Sequence, residues 1–399
     1  MATTWPSIIS TANKLNSRRR LRTALRAALL LALLVAPSLR PARACPFCTA
    51  QKPTLCQQQA AAAVTALGEA EAIGSDGRTT LKLHRVLSGA DALPDTTRLT
   101  IPLDLAAKPG SLLLLFGTRA GEAGLDWHAV AVDEVSYAYF ARAPRPQMAT
   151  EERLAYFAPL LENSNPLVAE DAYLEFAHAP FEQVAAAAKL LPMRRIPVWL
   201  GDPNVPAHRK GFYGLALGLA RNAKVRETNA AHLRDLILAP EDDFRAGFDG
   251  ILGGYLLLQG ARGLDLIESR YFSNPQAAVG DVRHALTALR FYYEYGNAIS
   301  PQQLGASVRK LLARPEFAEA AITDLARWQA WDSLEDITAM YGEPKYAEPA
   351  TQRAIVGYLL ACPLPAARKA IHQLRERDPQ GIAAAEAVLS RTGSVPQTE

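Results

Sequence analysis

Between Ala63 and Ser136 the apolar positions of this 399-residue chain come in short runs separated by Gly, Pro and Asp. Val64–Ala70 alternates weakly between apolar and polar, and Thr80–Leu87 alternates clearly before ending at Ser88-Gly89. A period of two places successive side chains on opposite faces of a strand. Arg98–Leu103 is a third candidate, and Pro102, which lacks a ladder donor, predicts an edge or a bulge there. Leu112–Phe116 follows Pro109-Gly110, and Trp127–Val132 closes the set. Five short strands with turn residues between them predict a small antiparallel barrel or sandwich.

Over residues 149–392 the pattern changes to helical periodicity broken mostly by Pro, Gly or Asn. One motif recurs there: a small residue followed by apolar positions. It appears as Ala172-Tyr173…Phe176, Gly211-Phe212…Leu215, Gly247-Phe248…Ile251, Ala285-Leu286…Leu289, Ala321-Ile322…Leu325 and Ala354-Ile355…Tyr358. The anchors are 39, 36, 38, 36 and 33 residues apart. A period of that length with two helices per unit predicts an α-solenoid, in which each unit buries its apolar face on its neighbours. Basic residues precede several anchors (Lys210, Arg245, Arg283, Arg353), a habit similar to HEAT repeats. The fold class expected is therefore a small antiparallel β barrel or sandwich over 45–143, then a helical-repeat domain over 149–392.

The first 44 residues belong to neither part. They hold eight basic residues and no acid, then the apolar run Ala27–Ala36, then Ala42-Arg43-Ala44. That order is a secretory signal with cleavage between Ala44 and Cys45. Ten apolar residues span about 15 Å as a helix, about half a hydrocarbon core, and no later window is apolar for longer, so no membrane span is expected after signal removal. Ser17-Arg18-Arg19-Arg20-Leu21 resembles a twin-arginine export signal, although the apolar run is Leu-rich and no cofactor motif follows. Arg43 fits poorly the small or apolar residue that lipidation of Cys45 wants at that position. Eight of the 43 basic residues and none of the 40 acidic ones lie in the signal, which leaves 35 against 40, a net charge of −5. A basic nucleic-acid face is thus unsupported, and an exported protein, periplasmic or extracellular, is expected.

All four cysteines (Cys45, Cys48, Cys56, Cys362) follow the cleavage point and enter a compartment that permits disulfides. Cys56 is expected to pair with Cys45 or Cys48, tying the new N-terminus to the β domain, while Cys362 stays a buried thiol. Cys45-Pro46-Phe47-Cys48 also resembles the active-site spelling of glutaredoxin-like proteins, but that fold places a strand directly before the motif and cleavage leaves none. Thr49 stands where c-type haem attachment needs His. The seven histidines (84, 128, 178, 208, 232, 284, 372) show no metal-ligand spacing, and neither H-E-x-x-H, G-x-S-x-G nor a P-loop occurs. No catalytic residue, cofactor or metal is expected. Glu170-Asp171 reads as a solvated helix edge, and Glu241-Asp242-Asp243 as a helix N-terminus where acids complement backbone N–H groups. Gly247, Gly250, Gly253 and Gly254 read as a flat helix-packing face. In Phe291-Tyr292-Tyr293-Glu294-Tyr295 some rings are core and the rest are candidates to line a concave surface.

Two resemblances follow from these residues. A Cys-x-x-Cys at the mature N-terminus, a third cysteine and a five-stranded domain over about 45–140 resemble the netrin-like OB barrel of metalloproteinase inhibitors. That resemblance implies that the Cys45 amine and carbonyl chelate a protease zinc, although the inhibitors carry Cys-x-Cys. Over nearly the full mature chain, the signal, the Cys-Pro-Phe-Cys motif, the β domain and the segment Gly247–Leu264 resemble a group of exported bacterial proteins with no assigned activity. The function expected is a non-enzymatic interaction or scaffold protein with a protein partner. The alternatives are a thiol-redox protein using Cys45 and Cys48, or a metalloprotease inhibitor using Cys45.

Overall fold

A computed structural model of the chain describes residues 52–93, 96–102, 108–121, 124–145, 147–240 and 245–391. The expected signal over 1–44, its cleavage point at Ala44-Cys45, Cys48 and the acidic run Glu241–Asp243 lie outside these residues.

A short helix, α1 (Leu55–Ala61), opens the described chain, closed at its start by a capping box. The Gln57 amide donates to Thr54 Oγ1 and the Thr54 amide to Gln57 Oε1, so two otherwise orphaned N–H groups are satisfied. Five strands follow: β1 (Val64–Ile73), β2 (Arg78–Ser88), β3 (Arg98–Pro102), β4 (Leu112–Ala120) and β5 (Gly124–Val132). All pairings are antiparallel and the order is β3-β2-β1-β4-β5, with Pro102 on an edge strand as its missing donor requires. Register shifts in β1 against β2, between Thr65/Ala66, Leu67/Gly68 and Ala70/Ala72, bend this central strand.

The run Leu112–Phe116 is apolar at every position because β4 is covered on both faces. Leu113 and Leu115 join Ala66, Ala70, Leu81, Ile101 and Ala129 in the core enclosed by the sheet. Leu114 and Phe116 point the other way, into a larger core shared with Leu55, Cys56, Tyr139, Phe140 and the helices beyond. The sheet and the helical region are therefore joined by continuous packing across residues 143–149.

Among the described residues, sixteen further α-helices follow the sheet. They are α2 (Glu134–Arg142), α3 (Thr150–Phe157), α4 (Pro166–His178), α5 (Phe181–Ala187), α6 (Ile196–Gly201), α7 (Ala207–Gly218), α8 (Ala223–Leu238) and α9 (Phe248–Gln259). Then come α10 (Ala261–Ile267), α11 (Val279–Tyr295), α12 (Pro301–Arg309), α13 (Pro315–Arg327), α14 (Leu334–Ala339), α15 (Pro349–Ala361), α16 (Pro365–Arg377) and α17 (Pro379–Arg391). Pro at the first helical position recurs in α4, α12, α13 and α15, where its fixed φ suits the helix and its missing N–H costs nothing.

The six repeat anchors fall on α4, α7, the start of α9, α11, α13 and α15, every second helix from α7 onward. Helix α7 packs on α9, α9 on α11, α13 on α15 and α15 on α17. Between α7 and α9 the backbones touch. A Cβ at Gly250 would overlap the backbone of Gly211, and one at Gly214 would stand 2.6 Å from the Ile251 nitrogen. The expected glycine packing face is thus present, with its tight contacts to the α7 backbone at Gly247, Gly250 and Gly254.

One contact departs from neighbour-only stacking. Phe181 of α5 meets Phe291 and Tyr295 of α11 with ring centroids 5.0 and 4.5 Å apart, over buried Leu215 of α7. Phe291 is thus one of the core rings expected in the Phe291–Tyr295 run, and Tyr295 packs beside it.

Candidate functional site

The most unusual chemistry in the described residues lies beneath α1. Helix α4 is apolar through Leu167–Ala177 except at Glu170, Asp171 and Glu175, and the last two carboxylates, four residues apart, share one face. Asp171 is 3% exposed and Glu175 4%. Asp171 Oδ1 accepts the Leu55 amide at 2.7 Å, and Oδ2 accepts the Tyr139 hydroxyl at 2.6 Å. Glu175 Oε2 is paired with Arg153 of α3. Glu175 Oε1 and Arg153 Nε are buried with no hydrogen-bond partner among the described residues. At the end of α4, the His178 ring donates from Nε2 to the Lys52 carbonyl at 2.8 Å. The start of α1 and the segment leading into it are therefore fixed to α4 at two points, Asp171 and His178.

Burial dominates the electrostatics here. Loss of water pushes the Asp171 carboxyl up to about 6, although the Tyr139 hydroxyl and Leu55 amide pull it back. Burial also raises Glu175. The Cys56 thiol is pushed up to about 12, first by burial and then by the charges of Glu175 and Asp171. At that value it stays a thiol and not a nucleophilic thiolate at neutral pH.

Across α4 lies a second polar cluster of different make-up. Glu162 sits in the left-handed region at φ 53° and accepts from Arg209 Nη1 at 2.8 Å and the Tyr213 hydroxyl at 2.6 Å. Arg209 also faces Glu170 at 3.3 Å, and Glu170 lies 3.1 Å from His208 Nε2. Burial pushes the Tyr213 hydroxyl far up. Both carboxylates there are met by cations, and Glu170 keeps contact with water.

The sequence-derived candidates fare as follows. Cys56, expected in a disulfide, is a buried free thiol whose Sγ points to the Pro144 carbonyl at 3.7 Å; its expected partners Cys45 and Cys48 lie outside the described residues. Cys362 is a buried thiol at the end of α15. Reading Glu170-Asp171 as a solvated edge holds only for Glu170, because α1 covers Asp171. Three acids, Glu170, Asp171 and Glu175, interrupt the apolar run of α4 in the sequence, but which of them is covered depends on a helix far away in the chain.

Among the described residues, two of the grooves open to solvent are similar in volume. One of about 760 Å³ lies between α12 and α14 and is lined by Arg309, Lys310, Asp336, Met340, Lys345 and Tyr346. Its Arg309 and Lys310 are engaged with Asp336 and Glu268. The other, about 750 Å³, runs between α2 and α3 beside Tyr139 and carries the exposed Val135. Among the described residues, no three His, Cys, Asp or Glu side chains group to hold a metal, and no helix is long and apolar enough to cross a membrane. Comparison with protein families, with curated proteins and with solved structures finds no match.

Proposed function

We propose that this is an exported, non-enzymatic interaction or scaffold protein, built as an opened OB-like sheet joined to a HEAT-like helical array. The observation that carries this reading is the ion-pair linkage of successive helical units. Arg245 meets Asp281 at 2.5 Å and Arg290 meets Asp324 at 2.6 Å, pairs 36 and 34 residues apart, which match the spacing of the sequence anchors. Arrays of this kind serve binding through the surfaces that stacking leaves open. The groups with the largest pKa shifts near α4, Asp171, Tyr139, Cys56 and Tyr213, are engaged in contacts that hold elements together. The test is affinity capture from the envelope fraction of the source cells, using wild type and a double variant, Arg309→Glu with Lys345→Glu. A partner retained by wild type and lost by the variant supports the reading. Equal retention by both, or no retained protein, contradicts it.

The strand order favours one second reading. In β3-β2-β1-β4-β5 the first strand lies between the second and the fourth, which is the order of an OB barrel opened along β3 and β5. That is the frame of the netrin-like inhibitors, in which the Cys45 amine would bind the protease zinc. Inhibition of a metalloprotease that disappears when the N-terminal amine is blocked would establish it, and no inhibition would remove it. A thiol-redox role rests on Cys45 and Cys48 alone, since Cys56 stays protonated. A disulfide potential above about −300 mV is its requirement.

A further inference from the structure

We propose that Asp171 makes the docking of α1 a pH-dependent latch, firm in acid and loosened as the carboxyl ionises beneath the helix. The geometry gives two carboxylates, each under one-twentieth exposed, and a single guanidinium, Arg153, which is committed to Glu175. Asp171 itself is held only by neutral donors, the Leu55 amide of α1 and the Tyr139 hydroxyl of α2. The other ionisable groups around it are Cys56 on α1, a neutral thiol, and Glu170 and Glu175 on α4 itself. Arg153 and Tyr156 on α3 and His178 at the end of α4 also face this cluster. With both acids ionised, one buried negative charge has no cation, a costly arrangement when water is excluded. A protonated Asp171 keeps an acceptor for the Leu55 amide and no longer repels Glu175.

The sign of the effect follows from linkage. Asp171 titrates at about 6 in the docked state and returns toward its ordinary 3.8 once α1 departs and water enters. A raised carboxyl favours the docked state fully below the ordinary value, and that advantage is lost as pH rises through 6. Two pH units correspond to about a hundredfold change in the opening equilibrium of α1. In sequence, α1 begins seven residues after Cys48, so the latch acts on the helix that directly follows the Cys-Pro-Phe-Cys motif.

Hydrogen exchange on the full chain, corrected for intrinsic rates, tests this. The wild-type peptide over residues 53–61 is expected to lose about a hundredfold protection between pH 4 and pH 6.5 and to stay level above that. A peptide over 207–218 serves as the control and should not share the slope. In Asp171→Asn, which mimics the protonated acid, protection of 53–61 should be level across the same range. Level protection in wild type, or the same slope in Asp171→Asn, overturns the proposal. If the variant does not fold, the wild-type contrast between the two peptides decides alone, and a shared slope counts against it.

Discussion

Helix α4 carries acidic residues on two sides, and the sides differ in charge balance. Toward α7, Glu170 and Glu162, which lies just ahead of the helix, meet Arg209, with His208 alongside and water at Glu170. Toward α1, the one guanidinium, Arg153, is committed to Glu175 while Asp171 has only neutral donors, and burial raises both carboxyls. The same helix thus holds a compensated joint and a strained one. What separates them is where the one guanidinium sits: Arg209 touches both Glu162 and Glu170, whereas Arg153 touches only Glu175. The difference teaches that a buried acid is informative about function when its partners are neutral.

The comparison breaks most visibly if the lone guanidinium is removed. Arg153→Met leaves Glu175 buried without a counter-charge and is expected to cost about 3–5 kcal/mol in urea unfolding. Arg209→Met on the other side should cost less, about 1.5–3 kcal/mol, because Glu170 remains partly hydrated. Equal losses would show that the two sides do not differ. The α7 side also has a firm backing, because α7 touches α9 backbone to backbone at Gly250. Gly250→Ala should cost about 1–3 kcal/mol through overpacking, read as a lowered thermal midpoint. An unchanged midpoint would mean that α7 is free to shift and that its joint is no more rigid than that of α1.

Much of this frame is legible in the sequence. The alternation in Thr80–Leu87, the all-apolar Leu112–Phe116 and the edge position of Pro102 follow from backbone geometry alone. The anchor spacing from Ala172 to Ala354 locates the helix row, because small residues let helices approach. The strained joint was not legible, because whether Asp171 faces water depends on α1, which is supplied from 116 residues earlier. Helix α1 itself carried a readable sign, the capping box Thr54-Leu55-Cys56-Gln57, and a helix starting there buries Cys56. The meeting of Phe181 with Phe291 and Tyr295 is likewise a long-range contact that periodicity within one helix does not encode.

Smaller effects sharpen the comparison. Asp171→Asn should stabilise the protein at pH 7.5 by on the order of 1–3 kcal/mol and give no gain at pH 4, where the wild-type carboxyl is already protonated. A gain of the same size at both pH values would trace it to packing and not to charge. Tyr139→Phe removes one donor to Asp171 and should cost about 1 kcal/mol at pH 7.5 and less at pH 4. Chemical denaturation at the two pH values reads both variants.

The account turns on the charge state of a single side chain, and carboxyl carbon NMR of isotopically labelled protein reads that directly. The Asp171 resonance, assigned by its loss in Asp171→Asn, is predicted to titrate with a midpoint near 6. A midpoint at or below the ordinary aspartate value of about 3.9 would contradict the claim that the joint beneath α1 holds an uncompensated buried charge.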